Sequence, residues 1–347
     1  MRQTLHLCMK SAAKHAGNQV RTDMKISKAA IALAAALTAG TFAAPVLAQN
    51  YPTGPITLVN PYAAGGPADV LARTIIEPMA ADLGQQIVLL NKAGGATAIA
   101  ASTVATAQKD GYTLLLANAS SHIVTPLLAK VNYDGIKDFA FICMIASVNN
   151  VLVVRQGLAA KSVPELVELA KKDPGKLTYA SVGNGSQPHL ASELFQQMTG
   201  AKLNHVPYRG AAPATVDMLA GQIDLGILNM PPLLEHIKSG SLRALGVASI
   251  KRAAQLPDVP SLDELGLKGF NVVTWYGIAA PAGTPQAIVD RLAAAFQKSV
   301  NAPDIKAKLA AQGVETFYLG PKDFMAYLSD DAKRMSDLIK SANIKAE

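Results

Sequence analysis

Apolar positions along this chain come in blocks. Runs that are apolar almost throughout, such as ITLVN (56–60), QIVLL (86–90), TLLLAN (113–118), FICMIA (141–146) and VLVVRQ (151–156), alternate with stretches of helical period. The same kind of run returns as LTYASV (177–182), DLGIL (224–228), LRALGVAS (242–249) and VVTWYGIAA (272–280). A strand buried on one face alternates apolar and polar residues, whereas one covered on both faces is apolar throughout. Strands of the second kind, separated by helices of about 10–15 residues, predict an α/β fold with mostly parallel sheets.

The helices carry readable ends. In PHLASELFQQMTG, Leu190, Leu194, Phe195 and Met198 share a face, Pro188 suits the first turn and Gly200 is a natural stop. In TPQAIVDRLAAAFQKSVN, Thr284 is expected to cap, Pro285 to open, and Ile288, Leu292, Phe296 and Val300 to line the buried side. Pro78 lies inside the first helical pattern, where a proline removes a hydrogen bond, so a kink or a shortened helix is expected there.

No repeat of fixed period and no low-complexity linker divides the chain. Two domains joined by crossing strands, near 151–156 and 271–280, are therefore expected. Residues 49–150 with 275–347 make one and 151–274 the other.

The first 48 residues change the charge picture. Lys25 and Lys28 precede the small apolar stretch 29–45, and Val46-Leu47-Ala48 ends in the form a signal peptidase cuts. Residues 1–48 are therefore read as an N-terminal extension and signal peptide, cleaved after Ala48, which places the mature protein in the periplasm. Met24 opens a segment of ordinary signal length and is an alternative start to Met1. The removed segment holds six basic residues and one acid, so the formal charge of +7 falls to +2 over the remaining 299 residues. That removes the main argument for a nucleic-acid partner. Of the two cysteines only Cys143 remains, within FAFICMIAS, where a buried thiol acting as a small hydrophobe is expected.

Chemistry is suggested by the loops that follow the strands. NPYAAGGPADVLAR (60–73) puts Gly65, Gly66 and Pro67 between a strand and a helix, with Tyr62 and Ala64 before them and Asp69 in the first helical turn. The first amides of a helix have no internal partner and lie at the positive end of its dipole. Glycines let a ligand approach them, so a strand–Gly–Gly–helix unit is a ready anion site. YASVGNGSQPHLASELF (179–195) repeats the arrangement with Ser181, Gly183, Asn184, Gly185, Ser186 and His189. NASSHIVTP (118–126) offers Ser120 and Ser121, and HVPYRGAAP (205–213) offers Tyr208 and Arg209. Each feature also has an ordinary structural reading: glycines make turns, Asp69 suits a helix start, the serines can cap, and Arg209 can be a surface charge. His122, His189 and His205 show no metal-ligand spacing, and no metal or cofactor is expected. Trp275 reads as core or hinge packing, or as a wall of the cleft.

At these residues the chain resembles the periplasmic solute-binding proteins of the tripartite tricarboxylate transporter family, the Bug or TctC-like receptors. The resemblance runs from YPTGPITLVNPYAAGGPADVLAR through YASVGNGSQPHLASELF and HVPYRGAAPATVDMLAGQIDLGI to WYGIAAPAGTP. It implies a two-domain α/β periplasmic binding protein of the Venus-flytrap kind, whose cleft closes on a carboxylate: a di- or tricarboxylate, an acidic amino acid or an aromatic acid. It implies that one carboxylate is held by the loops matching Tyr62–Asp69 and Gly183–His189, and that the partners are integral membrane permease subunits. A monomer is expected. The family's usual Asn-basic-Pro-Gly-Ala-Gly-Gly run appears here as Asn91-Lys92-Ala93-Gly94-Gly95-Ala96-Thr97, and Ala100 stands where a glycine is common, so a stiffer loop is expected. The residues 118–122 lie where the family varies and are candidates for specificity. A sensory receptor feeding a signalling partner has the same binding physics. An exported hydrolase would need a positioned nucleophile and base, and no G-x-S-x-G elbow is present.

Overall fold

Strand β1 (Ile56–Asn60) leads into helix α1 (Pro67–Leu83), and β2 (Ile87–Asn91) returns beside β1 in parallel register, Ile56 against Ile87. The computed structural model describes residues 51–341 and Ile344; the expected signal peptide and its cleavage after Ala48 lie outside the described residues. Helix α2 (Ala98–Ala105) connects β2 to β3 (Thr113–Ala117), which pairs with the other side of β1, again in parallel. Strands β4 (Phe139–Val148), β10 (Thr274–Pro281) and β11 (Val314–Leu319) complete a six-stranded sheet in the order β11-β4-β10-β3-β1-β2.

The second sheet has five strands. They are β5 (Asn150–Arg155), β6 (Thr178–Ser181), β7 (Asn204–Pro207), β8 (Leu225–Asn229) and β9 (Leu242–Val247), in the order β7-β6-β8-β5-β9. Only Asn149 separates β4 in one sheet from β5 in the other. The chain returns to the first sheet when β10 begins at Thr274.

Both sheets are mixed, with a smaller parallel share than the blocks of apolar residues predict. The strands β2-β1-β3 and β7-β6-β8 are parallel, while β4, β10 and β11, and β5 and β9, pair antiparallel. The cause is the sheet change itself: strands that arrive from the other sheet enter without a covering crossover helix. They are still buried on both faces, β10 at every residue and β5 at all but the last, so they carry the same apolar signature as parallel strands.

Two strands, β7 and β11, escape the sequence reading because both lie at sheet edges with half-exposed patterns. β2, read as apolar, is also an edge, and Val88 and Leu90 are exposed. Helix α1 runs through Pro78 without being shortened. The Ser299 hydroxyl of the neighbouring helix donates to the Ile75 carbonyl, one turn before the proline, at 3.0 Å. Thr284 does not cap the helix Gln286–Asn301; its hydroxyl donates back to Pro281 O at 2.8 Å and Pro285 takes the cap position. Ile288, Leu292, Phe296 and Val300 of that helix are buried as expected.

Trp275 belongs to the core. It is fully buried, its indole N–H donates to Asp331 Oδ2 at 2.7 Å, and Phe324 packs edge-on at 5.5 Å. Cys143 is also buried, and burial pushes its thiol well up from its ordinary value. No described helix is long and apolar enough to cross a membrane.

Candidate functional site

The loop after β1 is built by its own polar residues. Asn60 Oδ1 accepts from Tyr62 N at 3.2 Å and so starts the turn. Gly65 takes φ +83°, a conformation that favours glycine, and Gly66 is extended just before Pro67 opens α1. Asp69 closes the turn from behind. Its carboxylate accepts from Gly65 N at 3.1 Å, Arg73 Nε at 2.9 Å and Asn91 Nδ2 at 3.0 Å. Burial alone would raise the Asp69 pKa, but these hydrogen bonds outweigh it and hold it below the usual carboxylate value.

The loop after β6 is built the same way. Ser186 caps the helix Gln187–Thr199, accepting from His189 N at 3.4 Å and donating to Gly183 O at 2.6 Å. Gly185 N donates to His189 Nδ1 at 3.1 Å, and the His189 ring stacks on His205 at 4.3 Å. His205 Nε2 meets Ser181 Oγ at 2.7 Å, and that hydroxyl accepts from Gly183 N at 3.1 Å.

The two loops face each other across a cavity of about 210 Å³. From the first sheet come Tyr62–Ala68, Asn118, Ser120, Thr274 and Tyr276; from the second come Val182, Ser186–Pro188, Arg209–Pro213 and Asn229. This is smaller than the roughly 300–1,000 Å³ typical of drug-sized sites and suits a small metabolite. A second hollow of about 620 Å³ adjoins it, sharing Tyr62, Ser120, Val182, Ser186 and Arg209 and adding Thr97, Asn184 and Tyr208. Arg209 borders both, and its guanidinium pairs with no carboxylate among the described residues. No Asp or Glu lines either hollow. Burial pushes the Tyr62 phenol up to about 12, partly offset by its hydrogen bond with Ser120, so Tyr62 stays neutral and able to donate.

Buried polar atoms without a protein partner gather here. Asn118 Nδ2 and both amide atoms of Gln187 belong to residues of the smaller cavity, and Thr97 Oγ1 and Asn184 Oδ1 to residues of the larger. Buried polar groups are nearly always hydrogen-bonded in native proteins, so these atoms call for partners from outside the chain, buried water included.

Of the expected contact residues, Tyr62, Ala64, Gly65, Gly66, Ser120, Gly183, Asn184, Ser186, Tyr208 and Arg209 line the two hollows. Five do not. Asp69, Ser181 and His189 brace the loops from behind, as described above. Ser121 is fully buried, with its hydroxyl donating to Asn118 O at 3.0 Å. Gly185 lies against Val124 and Leu128 of the first lobe, where an added Cβ would come within 3.1–3.2 Å of them. Asn118, expected only as part of the 118–122 segment, lines the cavity, and so do Gln187, Asn229, Thr274 and Tyr276, which were not singled out. Asn60 and Asn229 end apolar strands and Asn118 follows one directly, and that recurring asparagine is the signal that could have found Asn118 and Asn229.

The 93–97 loop, expected to be stiffer than its glycine-rich counterparts, keeps a glycine-like path. Ala96 and Thr97 take φ +48° and +79° at the positions where the family carries glycine. Thr125 Oγ1 donates to Ala96 O at 2.6 Å and holds the turn in place. A separate depression of about 660 Å³, lined mainly by residues 126–138 together with His122 and Ile123, shares no residue with either hollow.

Comparison with known proteins agrees with this architecture. The family model described as "Tripartite tricarboxylate transporter family receptor" matches residues 71–344. Protein BugT of Bordetella pertussis is 36% identical over 310 residues, covering 89% of this chain and 95% of that protein. Among solved structures, Rpa4515 of R. palustris with adipate superposes with a TM-score of 0.78 at 33% identity, covering 85% of this chain and 99% of its own. MatC of Rhodopseudomonas palustris with bound malate gives a TM-score of 0.78 at 29% identity, covering 83% and 100%. A two-sheet α/β chain with paired glycine loops, matched to the family model over most of its described length, belongs to the tripartite tricarboxylate transporter receptor family.

Proposed function

We propose that this chain is a periplasmic receptor that captures a small organic carboxylate between its two lobes and delivers it to a membrane permease. The lobes are residues 49–150 with 275–347, and residues 151–274. The observation that carries the reading is the cavity where loops from both sheets meet, bordered by one unpaired guanidinium and by no carboxylate. At an effective dielectric of about 20, a unit charge 4 Å from Arg209 gains about 4 kcal/mol before desolvation. Charge-assisted hydrogen bonds from Tyr62 and from free helix-start amides add about 1.5–3 kcal/mol each. After ordering costs, micromolar binding, about −8 kcal/mol, is within reach. The adipate and malate in the related structures support the same ligand class.

A binding role is favoured over hydrolysis by the bonding of the serines. Ser186 accepts from the His189 backbone and not from its ring, and the His189 Nδ1 lone pair is taken by Gly185 N. Ser181 does touch the His205 ring, but it is fully buried and bonded to Gly183. Neither pair presents a nucleophile to the cavity.

The test is a melting-temperature screen of the mature protein against aliphatic, amino and aromatic acids. A ligand at 100 times its Kd adds about 2.7 kcal/mol, which for a chain of this size is a rise of roughly 4 °C. No shift with any acid at millimolar concentration overturns the proposal. Co-purification of the ligand-loaded protein with a multi-span permease, and not with a sensor kinase, distinguishes delivery from signalling.

A further inference from the structure

The second glycine loop is held from behind by two imidazoles. Gly185 N donates to His189 Nδ1 at 3.1 Å, and Gly183 N donates to Ser181 Oγ, which meets His205 Nε2 at 2.7 Å. The rings of His189 and His205 stack at 4.3 Å, and Tyr179 also stacks on His205, at 4.8 Å. An amide can donate only to a lone pair, so Gly185 fixes His189 as the neutral tautomer with its proton on Nε2. A protonated ring would set Nδ1–H against the Gly185 N–H, donor against donor. The loop has little room to step aside. Gly185 lies against Val124 and Leu128 of the first lobe, where an added Cβ would come within 3.1–3.2 Å of them.

The other side of the same ring favours the charge. Glu193 Oε1 is 3.9 Å from His189 Nε2, one helical turn further on, and it also accepts from Tyr179 Oη at 2.6 Å and Gln196 Nε2 at 2.8 Å. His189 is therefore poised between two hydrogen-bonded states, one neutral and held by Gly185, one charged and held by Glu193. Like charges at the stacking distance disfavour a second proton on His205. The remaining titratable neighbours do not take the proton in its place. Burial and the Glu193 carboxylate push the Tyr179 phenol up, so it stays neutral. At the start of β6, Asp224 pairs with Arg155, and β8 carries no titratable side chain. Beyond β7, Tyr208 donates to Asp217 at 2.7 Å, and Arg209 keeps its charge. The helix Pro321–Ser341 meets the helix Gln187–Thr199 where Ser341 donates to Gln197, with Asp337 and Lys340 in its last turn, and Lys171 lies against Gly200. Both contacts are about two turns or more from His189.

We propose, resting on the carboxylate-receptor reading, that His189 is the positioning residue of the second anion-holding loop and that its protonation loosens this loop, so that the receptor grips its anion at neutral pH and lets go in acid. The gripping loop requires the neutral ring. By linkage, affinity is full above the histidine range and is lost as the pH falls through it. An imidazolium would also attract the anion, but Glu193 compensates the added charge, while Gly185 loses its acceptor and its seat against the first lobe.

The experiment follows the isotope-labelled mature protein by NMR, without ligand, from about pH 8 to about pH 5. The His189 ring nitrogens report the proton and the Gly185 amide reports the loop; the two should move together with one midpoint. Calorimetric titrations with succinate, glutamate and benzoate are run over the same range on the parent and on His189→Asn, which keeps an acceptor at the Nδ1 position but takes no proton. The parent's affinity for the tightest of these acids, divided by the variant's at the same pH, should fall on the order of tenfold. The acid's own titration cancels in that ratio. A ratio that stays constant overturns the proposal. So does a Gly185 amide that stays still while His189 titrates, or a His189 ring that stays neutral throughout; these spectra decide the matter alone if the variant does not fold. If no acid binds, here or in the melting screen, the receptor reading falls, and the spectra still decide whether His189 controls the loop.

Discussion

A Cβ built on Gly66 meets nothing closer than the Ala63 carbonyl at 3.9 Å, and the backbone there, φ −84° and ψ 173°, accepts a β-branched residue. The glycine is therefore not required by the fold, in contrast to Gly65 at φ +83°. Gly66→Val should cost at most about 1 kcal/mol of stability, through the weaker helix cap. It should abolish ligand-induced stabilisation in a thermal melt, since the new side chain occupies the approach to the loop; retained ligand binding would remove this loop from the site. Thr97 is the opposite case. A β-branched residue at φ +79° is strained by about 1–3 kcal/mol, and its hydroxyl has no partner. Thr97→Gly relieves that strain at an entropic cost of about 0.5–1 kcal/mol, so its urea midpoint should rise; a fall would mean that Thr97 makes contacts worth more than its strain. The glycine loops themselves were legible from sequence because a turn with left-handed residues needs them. Gln187 and Asn229 were not, and Asn118 only as part of the 118–122 segment, because one asparagine at a strand end or one glutamine at a helix start reads the same whether it caps a turn or faces a cavity. Only the long-range fold separates the two.

Among the secondary-structure elements, the passages between the sheets matter most. Asn150 Nδ2 donates to Val272 O at 2.8 Å, joining the chain that leaves the first sheet to the chain that returns. Asn229 Nδ2 donates to Asn150 Oδ1 and to Thr274 Oγ1, both at 2.9 Å. The helix Pro321–Ser341 braces the same place, with Arg334 donating to Asn271 O at 2.8 Å and Asp331 accepting from Trp275. Asn150→Ala would leave the buried Val272 carbonyl unmatched and remove one partner of Asn229. A loss of about 1–3 kcal/mol is expected in chemical denaturation; an unchanged midpoint would show that the network is replaceable. Sequence reading placed both crossings near these strands because strongly apolar runs flanked them. It missed the edge strands Asn204–Pro207 and Val314–Leu319, whose half-exposed residues lack that signature.

Over the whole molecule, the described residues from Tyr51 onward form a single compact unit despite the two sheets. Leu190 of the second-sheet side is fully buried in a core cluster otherwise made by the first, with Trp275 and Phe324. Unfolding should therefore be one cooperative event. Trp275, the single tryptophan, reports from the crossing, while far-UV circular dichroism reports from both sheets. Their denaturant transitions should coincide; separate transitions would show lobes that melt on their own. The hydrogen bond between Asn150 and Val272 has a further consequence. Because the intervening segment departs and rejoins within one side chain's reach, its ends are anchored side by side like the pins of a socketed module. Exchange of that segment between relatives, or its transplantation into a different host, needs only two closely spaced junctions, so new ligand preferences can arise by recombination as well as by point change.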